Sequence, residues 1–149
     1  MKIHQLSLFL ENKPGQMTEP CRVLARAGIS IRTLTLADTQ HFGILRLIVS
    51  DWQQARGVLE VSCYVVNITE VVAVEVADSP GGLAGLLELF EGSDVNIEYM
   101  YAFTFGRQDR AVLIFRLANT DAGVETLRAA GINMVDDIEV YNRVDAGCQ

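Results

Sequence analysis

Leu6, Leu8 and Leu10 alternate with Ser7 and Phe9, a period of two that predicts a strand. Lys13-Pro14-Gly15 breaks it. Met17, Cys21, Leu24 and Ala27 then recur at helical spacing, and Gly28 marks the helix stop. Ile29, Ile31, Thr33 and Thr35 predict a second strand, residues 39–42 a turn, and Gly43 to Ser50 a third strand. Asp51-Trp52-Gln53-Gln54 opens a second helix that runs to about Ser62, and Val65 to Val71 forms a fourth strand. The order is β-α-β-β-α-β. Pro20 cannot sit past the first turn of a helix without removing a hydrogen bond. The first helix is therefore expected to start late, near Met17 or Thr18.

The pattern then repeats. A shift of 66 positions places Pro14-Gly15 on Pro80-Gly81, and Leu6, Leu8 and Leu10 on Val72, Val74 and Val76. The same shift places Ile29 and Ile31 on Val95 and Ile97, and Leu47 and Ile48 on Leu113 and Ile114. In the second half Val72 to Ala77 predicts a strand. Ser79 is the expected helix cap and Pro80 the first helical residue, with Leu83, Leu86, Leu87 and Phe90 as the apolar face. Strands follow over residues 95–105 and 111–117, separated by Gly106-Arg107-Gln108-Asp109. Thr120-Asp121 starts a last helix that Gly131 ends, Ile138 to Tyr141 forms the final strand, and a polar tail follows from Asn142.

Two successive β-α-β-β-α-β units predict an α+β fold of two ferredoxin-like βαββαβ units in tandem, each an antiparallel sheet with helices on one face. The expected domains are residues 1–71 and 72–142, with a tail at 143–149. Units of about 70 residues bury little core alone, and no spacer separates them, so they are expected to pack together. Strict alternation would point Leu34, Leu36, Met100 and Ala102 away from the side of Ile31 and Ile97. Both sheet faces would then be apolar, and the one without helices would need cover from the sister half, from a second chain or from both, which favours a homodimer. Tyr99, Tyr101, Phe103 and Phe105 read as core or sheet packing rather than as a base-stacking platform.

Composition narrows the function. The chain has 149 residues, half of them apolar and 21% charged, with a formal net charge of −7. That balance suits a folded globular protein and argues against nucleic acid as a partner, since phosphate binding rests on cationic contacts. No apolar run approaches the roughly 20 residues of a membrane helix, and the N-terminus does not read as a signal peptide, so a cytoplasmic location is expected. Cys21, Cys63 and Cys148 are odd in number, without a C-x-x-C, and read as reduced thiols. Without a secretory route the Asn67-Ile68-Thr69 sequon carries no meaning.

Catalytic chemistry is sparse. His4 and His41 have no sequence-local nucleophile or carboxylate partner and read as surface residues. Asp136, Asp137 and Glu139 lack a metal-ligand spacing and read as a solvated strand edge. No catalytic residue, metal site or cofactor is assigned. Pro80-Gly81-Gly82-Leu83-Ala84-Gly85 is neither a dinucleotide fingerprint nor a P-loop. Together with Lys13-Pro14-Gly15-Gln16-Met17 it does supply two helix N-termini, which favour carboxylates and phosphates; a turn that merely needs glycine explains the same letters.

Asn12-Lys13-Pro14-Gly15-Gln16-Met17 followed by Gly28-Ile29-Ser30-Ile31, and Asp78-Ser79-Pro80-Gly81-Gly82-Leu83 followed by Asp94-Val95-Asn96-Ile97, resemble the ACT domain. ACT domains are regulatory modules that bind amino acids. The resemblance covers about residues 3 to 141 and no catalytic domain is attached, so it implies a stand-alone, non-enzymatic ACT pair. Such a protein would sense a free amino acid and act on its own assembly or on an amino-acid-metabolism enzyme in trans. A ligand-free interaction module is the alternative. The family binds its ligand between units, the loop of one facing the second strand of another. Carried over, the loop positions are Asn12, Lys13, Pro14, Gly15, Gln16 and Met17, and Asp78, Gly81, Gly82 and Leu83. The strand positions are Ser30 and Ile31, and Asn96 and Ile97. The amides that some members pair are split between the copies here, as Asn12 and Asn96, which implies that one of the two sites is degenerate.

Overall fold

The computed structural model describes residues 2–38, 40–103 and 109–136. The first half contains β1 (Ile3–Glu11), α1 (Thr18–Arg26), β2 (Ile31–Asp38), β3 (Phe42–Val49) and α2 (Trp52–Val61). β4 (Val66–Ala77) follows, and then α3 (Gly82–Glu91), β5 (Ile97–Phe103), β6 (Arg110–Leu117), α4 (Thr120–Ala129) and β7 (Met134–Val135). The strands expected over 65–71 and 72–77 are one strand, because no glycine, proline or turn residue interrupts the β-branched run between them. The final strand expected at Ile138–Tyr141, the Gly106–Gln108 turn and the polar tail lie outside the described residues.

The chain divides into two compact units, residues 4–69 and residues 1–3 with 70–149. In the first, the strand order is β2-β3-β1-β4; in the second, it is β7-β4-β6-β5. β1 and β2 each pair antiparallel with β3, β4 pairs antiparallel with β6 and β7, and β5 with β6. Each unit has its own core. Leu6, Leu8 and Leu10 of β1 and Leu45, Leu47 and Val49 of β3 pack with Leu24 of α1 and Leu59 of α2. Val72 and Val74 of β4 and Leu113, Phe115 and Leu117 of β6 pack with Leu86, Phe90 and Leu127. Period-two strands and 3.6-period helices thus bury one face each. Leu83, expected on the apolar face of α3, is 42% exposed; it is the second residue of the helix.

α1 starts at Thr18, with Met17 at the N-cap. Pro20 then lies in the first turn, where backbone N–H groups have no helical partner in any case. Pro80 does not open α3 and Ser79 does not cap it, contrary to the expectation above. Ser79 instead accepts a bond from the Gly82 N–H at 3.0 Å across a four-residue turn, and Gly81 is left-handed at φ 87°. Proline second and a positive-φ glycine third define a type II turn. Lys13-Pro14-Gly15-Gln16 closes the same way, with Gln16 N–H to Lys13 O at 3.3 Å and Gly15 at φ 85°. α2 and α4 have side-chain caps: Asp51 accepts from Gln54 N–H and Asn119 from Ala122 N–H.

Two details correct the sequence reading. First, the repeat offset changes. Ile31 pairs with Val49 and Ile97 with Leu117, so β3 corresponds to β6 at 68 positions, not 66. Leu47 therefore matches Phe115 rather than Leu113. The extra two residues fall in the hairpin between β5 and β6, where length is tolerated. Second, β2 and β5 each break register, between Ile31 and Thr33 and between Ile97 and Tyr99. The extra residues, Arg32 and Glu98, are β-bulges at equivalent places, and a bulge inverts the alternation beyond it. Leu34 and Leu36 pair with Leu47 and Leu45, and Met100 and Ala102 with Phe115 and Leu113. Paired residues share a face, so these four point to the same side as Ile31 and Ile97, not away from it. The helix-free face of the first unit is apolar by another route, through Phe9, Phe42 and Ile44 of β1 and β3. Phe9 and Phe42 are more than half exposed.

The repeat also predicts a stabilising substitution. α2 ends with Cys63 at φ 67°, where α4 ends with Gly131 at φ 69°. The same bonds close both ends, Cys63 N–H to Glu60 O and Gly131 N–H to Arg128 O, each 3.0 Å. Only glycine takes this conformation without steric cost. Cys63→Gly is expected to raise stability by about 1 kcal/mol, read as a higher urea midpoint at unchanged slope. A lower midpoint would contradict the assignment.

Candidate ligand-binding loops

The β1–α1 loop carries Asn12, Lys13, Pro14, Gly15, Gln16 and Met17. Its entry is tied to the next hairpin, as Asn12 N–H donates to His41 O at 3.0 Å. In the second copy Asp78 N–H makes the same bond to Asp109 O at 2.6 Å. Lys13 lies against Glu11 at 2.7 Å. That hydrogen bond, and then the carboxylate charge, raises the Lys13 pKa above its ordinary value, so the ammonium stays charged throughout the neutral range.

The strand positions lie elsewhere in each unit. Ser30 precedes β2, its N–H donating to Ser50 Oγ at 3.1 Å and its carbonyl accepting from Ser50 N–H at 2.9 Å. Asn96 precedes β5 and accepts from Ala118 N–H at 3.0 Å, leaving its exposed side chain outside that bond. Ile31 and Ile97 are partly buried against the cores of their own units. The loop meets the far end of β2, near Asp38. From Ser30 to Asp38 the strand covers roughly 25 Å at about 3.3 Å per residue. Within a single unit, loop and strand start therefore do not form one site.

The loop does form a cavity with its own sheet. Asn12, Lys13, Gln16 and Met17 line it together with Leu10, Glu11, Leu36, Asp38 and Gly43, around about 90 Å³. Gly43 pairs with Leu10 on one side and Asp38 on the other. With no side chain at the middle of that row, the floor dips. Leu10, Glu11, Leu36, Asp38 and Gly43 line this cavity and were not among the candidate residues read from the sequence. A lone glycine inside a strand pattern was the available sign, since it marks a bulge or a close approach. The second copy differs at the loop. A β-carbon on Gly82 would overlap the Ala77 carbonyl oxygen, so this loop rests directly on the end of its strand. Gln16 stands at the equivalent place in the first copy.

Other features are less suited to a zwitterion. A cleft of about 390 Å³ between α1 and α2 is lined by Val23, Ala27, Gly57, Val58 and Val61, with Arg26 and Ser62. None of its lining residues is a carboxylate that could hold an ammonium group. His4, expected at the surface, is half-buried, and its ring stacks on Trp52 at 4.4 Å. Among the described residues no His, Cys, Asp and Glu cluster could hold a metal ion, and no helix is long and apolar enough to cross a membrane.

Comparison with known proteins fixes the family. The model of the ACT domain pair matches residues 1–144. The chain belongs to the ACT domain pair family. This ACT pair is similar to protein BT0572 from Bacteroides thetaiotaomicron, at 38% identity and TM-score 0.89, over 95% of this chain and 96% of that one. It shares its fold with the regulatory subunit of aspartate kinase from Thermus flavus, at 17% identity and TM-score 0.62, covering 97% and 94% of the two chains. The ligand-free regulatory subunit from Thermus thermophilus is similar at 16% identity and TM-score 0.60, covering 85% and 91%. No curated protein matches.

Proposed function

We propose that this ACT pair is a non-catalytic regulatory protein that binds a free amino acid and, through it, modulates its own assembly or a partner enzyme. The observation that carries the reading is the duplicated Pro-Gly loop, open over a cavity in the first copy and flanked by an amide side chain at Asn12. In this reading the loop of one ACT unit supplies N–H groups and an amide to the ligand carboxylate. The strand start of another unit supplies oxygen atoms to the ammonium. The separation of loop and strand start within each unit supports a site built from two units. The regulatory subunits that share the fold support the regulatory class, and the amino acid is set by this chain's own residues.

Asn12 and Gly15 are proposed to act with Asn96 and Ile97, a combination that brings both amides to one ligand. The converse combination sets Asp78 beside Ser30, and a carboxylate there repels the ligand carboxylate. Asn96→Ala is expected to weaken binding by about 1.5–3 kcal/mol, roughly ten- to a hundredfold. Asp78→Ala is expected to change it far less. Calorimetry of the full chain against the twenty amino acids decides. Equal losses from both substitutions would show the wrong site, and binding to none of the twenty would favour a ligand-free interaction module. A homodimer belongs to the same proposal, given the exposed Phe9 and Phe42. Light scattering should show a species of twice the 16.4 kDa chain mass, and a monomer at micromolar concentration would count against it.

A further inference from the structure

We propose that the cavity under the Asn12–Met17 loop receives the ligand's side chain and restricts the ligand to amino acids with a short, neutral side chain. This rests on the amino-acid-binding reading above and adds the class of amino acid to it.

Size comes first. A volume of about 90 Å³ is well below the roughly 150 Å³ of a cavity that takes up a benzene ring. It suits a side chain of a few non-hydrogen atoms better than an aromatic one. The space exists because Gly43 has no side chain between Leu10 and Asp38. A β-carbon there would come within 3.2 Å of Leu36 Cδ1, so Leu36 is the wall that faces the dip.

Polarity and charge follow from the lining. Leu10, Met17 and Leu36 give an apolar floor and walls, while the Asn12 and Gln16 amides stand on the loop side. Glu11 and Lys13 neutralise one another at 2.7 Å. Asp38 leaves the lining with one formal negative charge, which disfavours an acidic side chain. Long basic side chains match that charge and are too large for the space.

Among its described residues the second copy offers no equivalent receptor of this shape. Gly82 sits against the Ala77 carbonyl so closely that a side chain has no room. Gln16, which has one, requires its loop to stand off the sheet. Ala111 takes the position of Gly43 and is itself buried. Among the described residues the receptor of this shape lies in the first copy.

Calorimetry of the full-length chain against the twenty amino acids tests this. Binding should be tightest for alanine, serine, threonine, cysteine or valine. Phenylalanine, tyrosine, tryptophan, aspartate and glutamate should bind at least about tenfold more weakly, the order of discrimination a pocket achieves per misplaced methylene or more. Leu36 is about half exposed, so Leu36→Ala leaves the core intact and enlarges the cavity. It should shift preference toward leucine and methionine by about tenfold. Gly43→Ala should weaken binding of valine more than of alanine, and Asp38→Asn should narrow the gap between acidic and neutral ligands. A preferred ligand that is aromatic or acidic overturns the inference, as does a preference unmoved by Leu36→Ala and Gly43→Ala, while the amino-acid-binding reading stands. Binding to no amino acid overturns both.

Discussion

Phe115→Ala should lower the stability of the protein by about 3–5 kcal/mol. Phe115 is fully buried at the middle of β6, pairing with Val72 of β4 and Met100 of β5. Its ring lies 6.0 Å from that of Phe90 at 58°, a tilted contact worth about 0.5–1.5 kcal/mol beyond burial. Truncation removes that contact and leaves a cavity among Leu113, Leu117 and Leu127, residues with helices or strands on every side that cannot collapse inward cheaply. Against a total stability of about 5–15 kcal/mol for a domain, this loss is a large fraction. Urea unfolding followed by circular dichroism measures it. Trp52, the one tryptophan, lies in the first unit and reports separately by fluorescence. Coincident transitions would mean that both units unfold together, and separate ones that the loss is confined to the second. A loss under about 1 kcal/mol would show that Phe115 is not the packed centre of that core.

Gly82→Val should cost about 3 kcal/mol, for a reason unrelated to the core. The obstacle is the Ala77 carbonyl oxygen, a backbone atom at the end of β4 that cannot rotate out of the way. Either the strand end or the first turn of α3 must shift. Gly85 supplies the control three residues on. Nothing lies within 4 Å of a β-carbon built there, and it is exposed inside a helix. Gly85→Ala should therefore stabilise by about 0.5–1 kcal/mol. Thermal unfolding of the two variants should move in opposite directions. Destabilisation by both would point to a general intolerance of side chains on α3 rather than to the close approach at Gly82.

Most of the fold was legible because each unit obeys its periods. Leu6, Leu8 and Leu10 announced β1, and Pro14-Gly15 and Pro80-Gly81 announced the loops. Asp51 opened its helix as a capping residue should, and Thr120-Asp121 marked the start of the last helix, whose cap is the preceding Asn119. The misreadings of strand facing and of the repeat offset share a cause, in that each depends on pairing across strands rather than on order along the chain. Arg32 and Glu98 look like ordinary strand residues, and only the partner strand shows that each is an extra one. The 66-residue shift matched Leu47 with Leu113 because Leu113 and Phe115, two apart on β6, are interchangeable by hydropathy. The partners Val49 and Leu117 resolve the ambiguity. The site was legible in part. The loops were found by their letters, but the cavity depends on Gly43, which is brought to Leu10 and Asp38 by the sheet. Ser79 and Pro80 fit a helix-opening pattern equally well as a type II turn, and only the left-handed Gly81 tells the two apart.

The matching bulges also bear on how a duplicated gene can drift in length. The two copies have diverged by two residues at the tip between β5 and β6, and every pair inward of the tip still faces the same way. Removing Arg32 would be just as silent for the layers. Ile31 would then directly precede Thr33, the two would pair with Val49 and Ile48 in regular alternation, and Leu34 and Leu36 would keep the side they have now. Codons can thus be gained or lost at the hairpin tip without consequence for the layers, and a bulge in β2 and in β5 absorbs one further residue in each copy while inside and outside stay as the partner strand sets them.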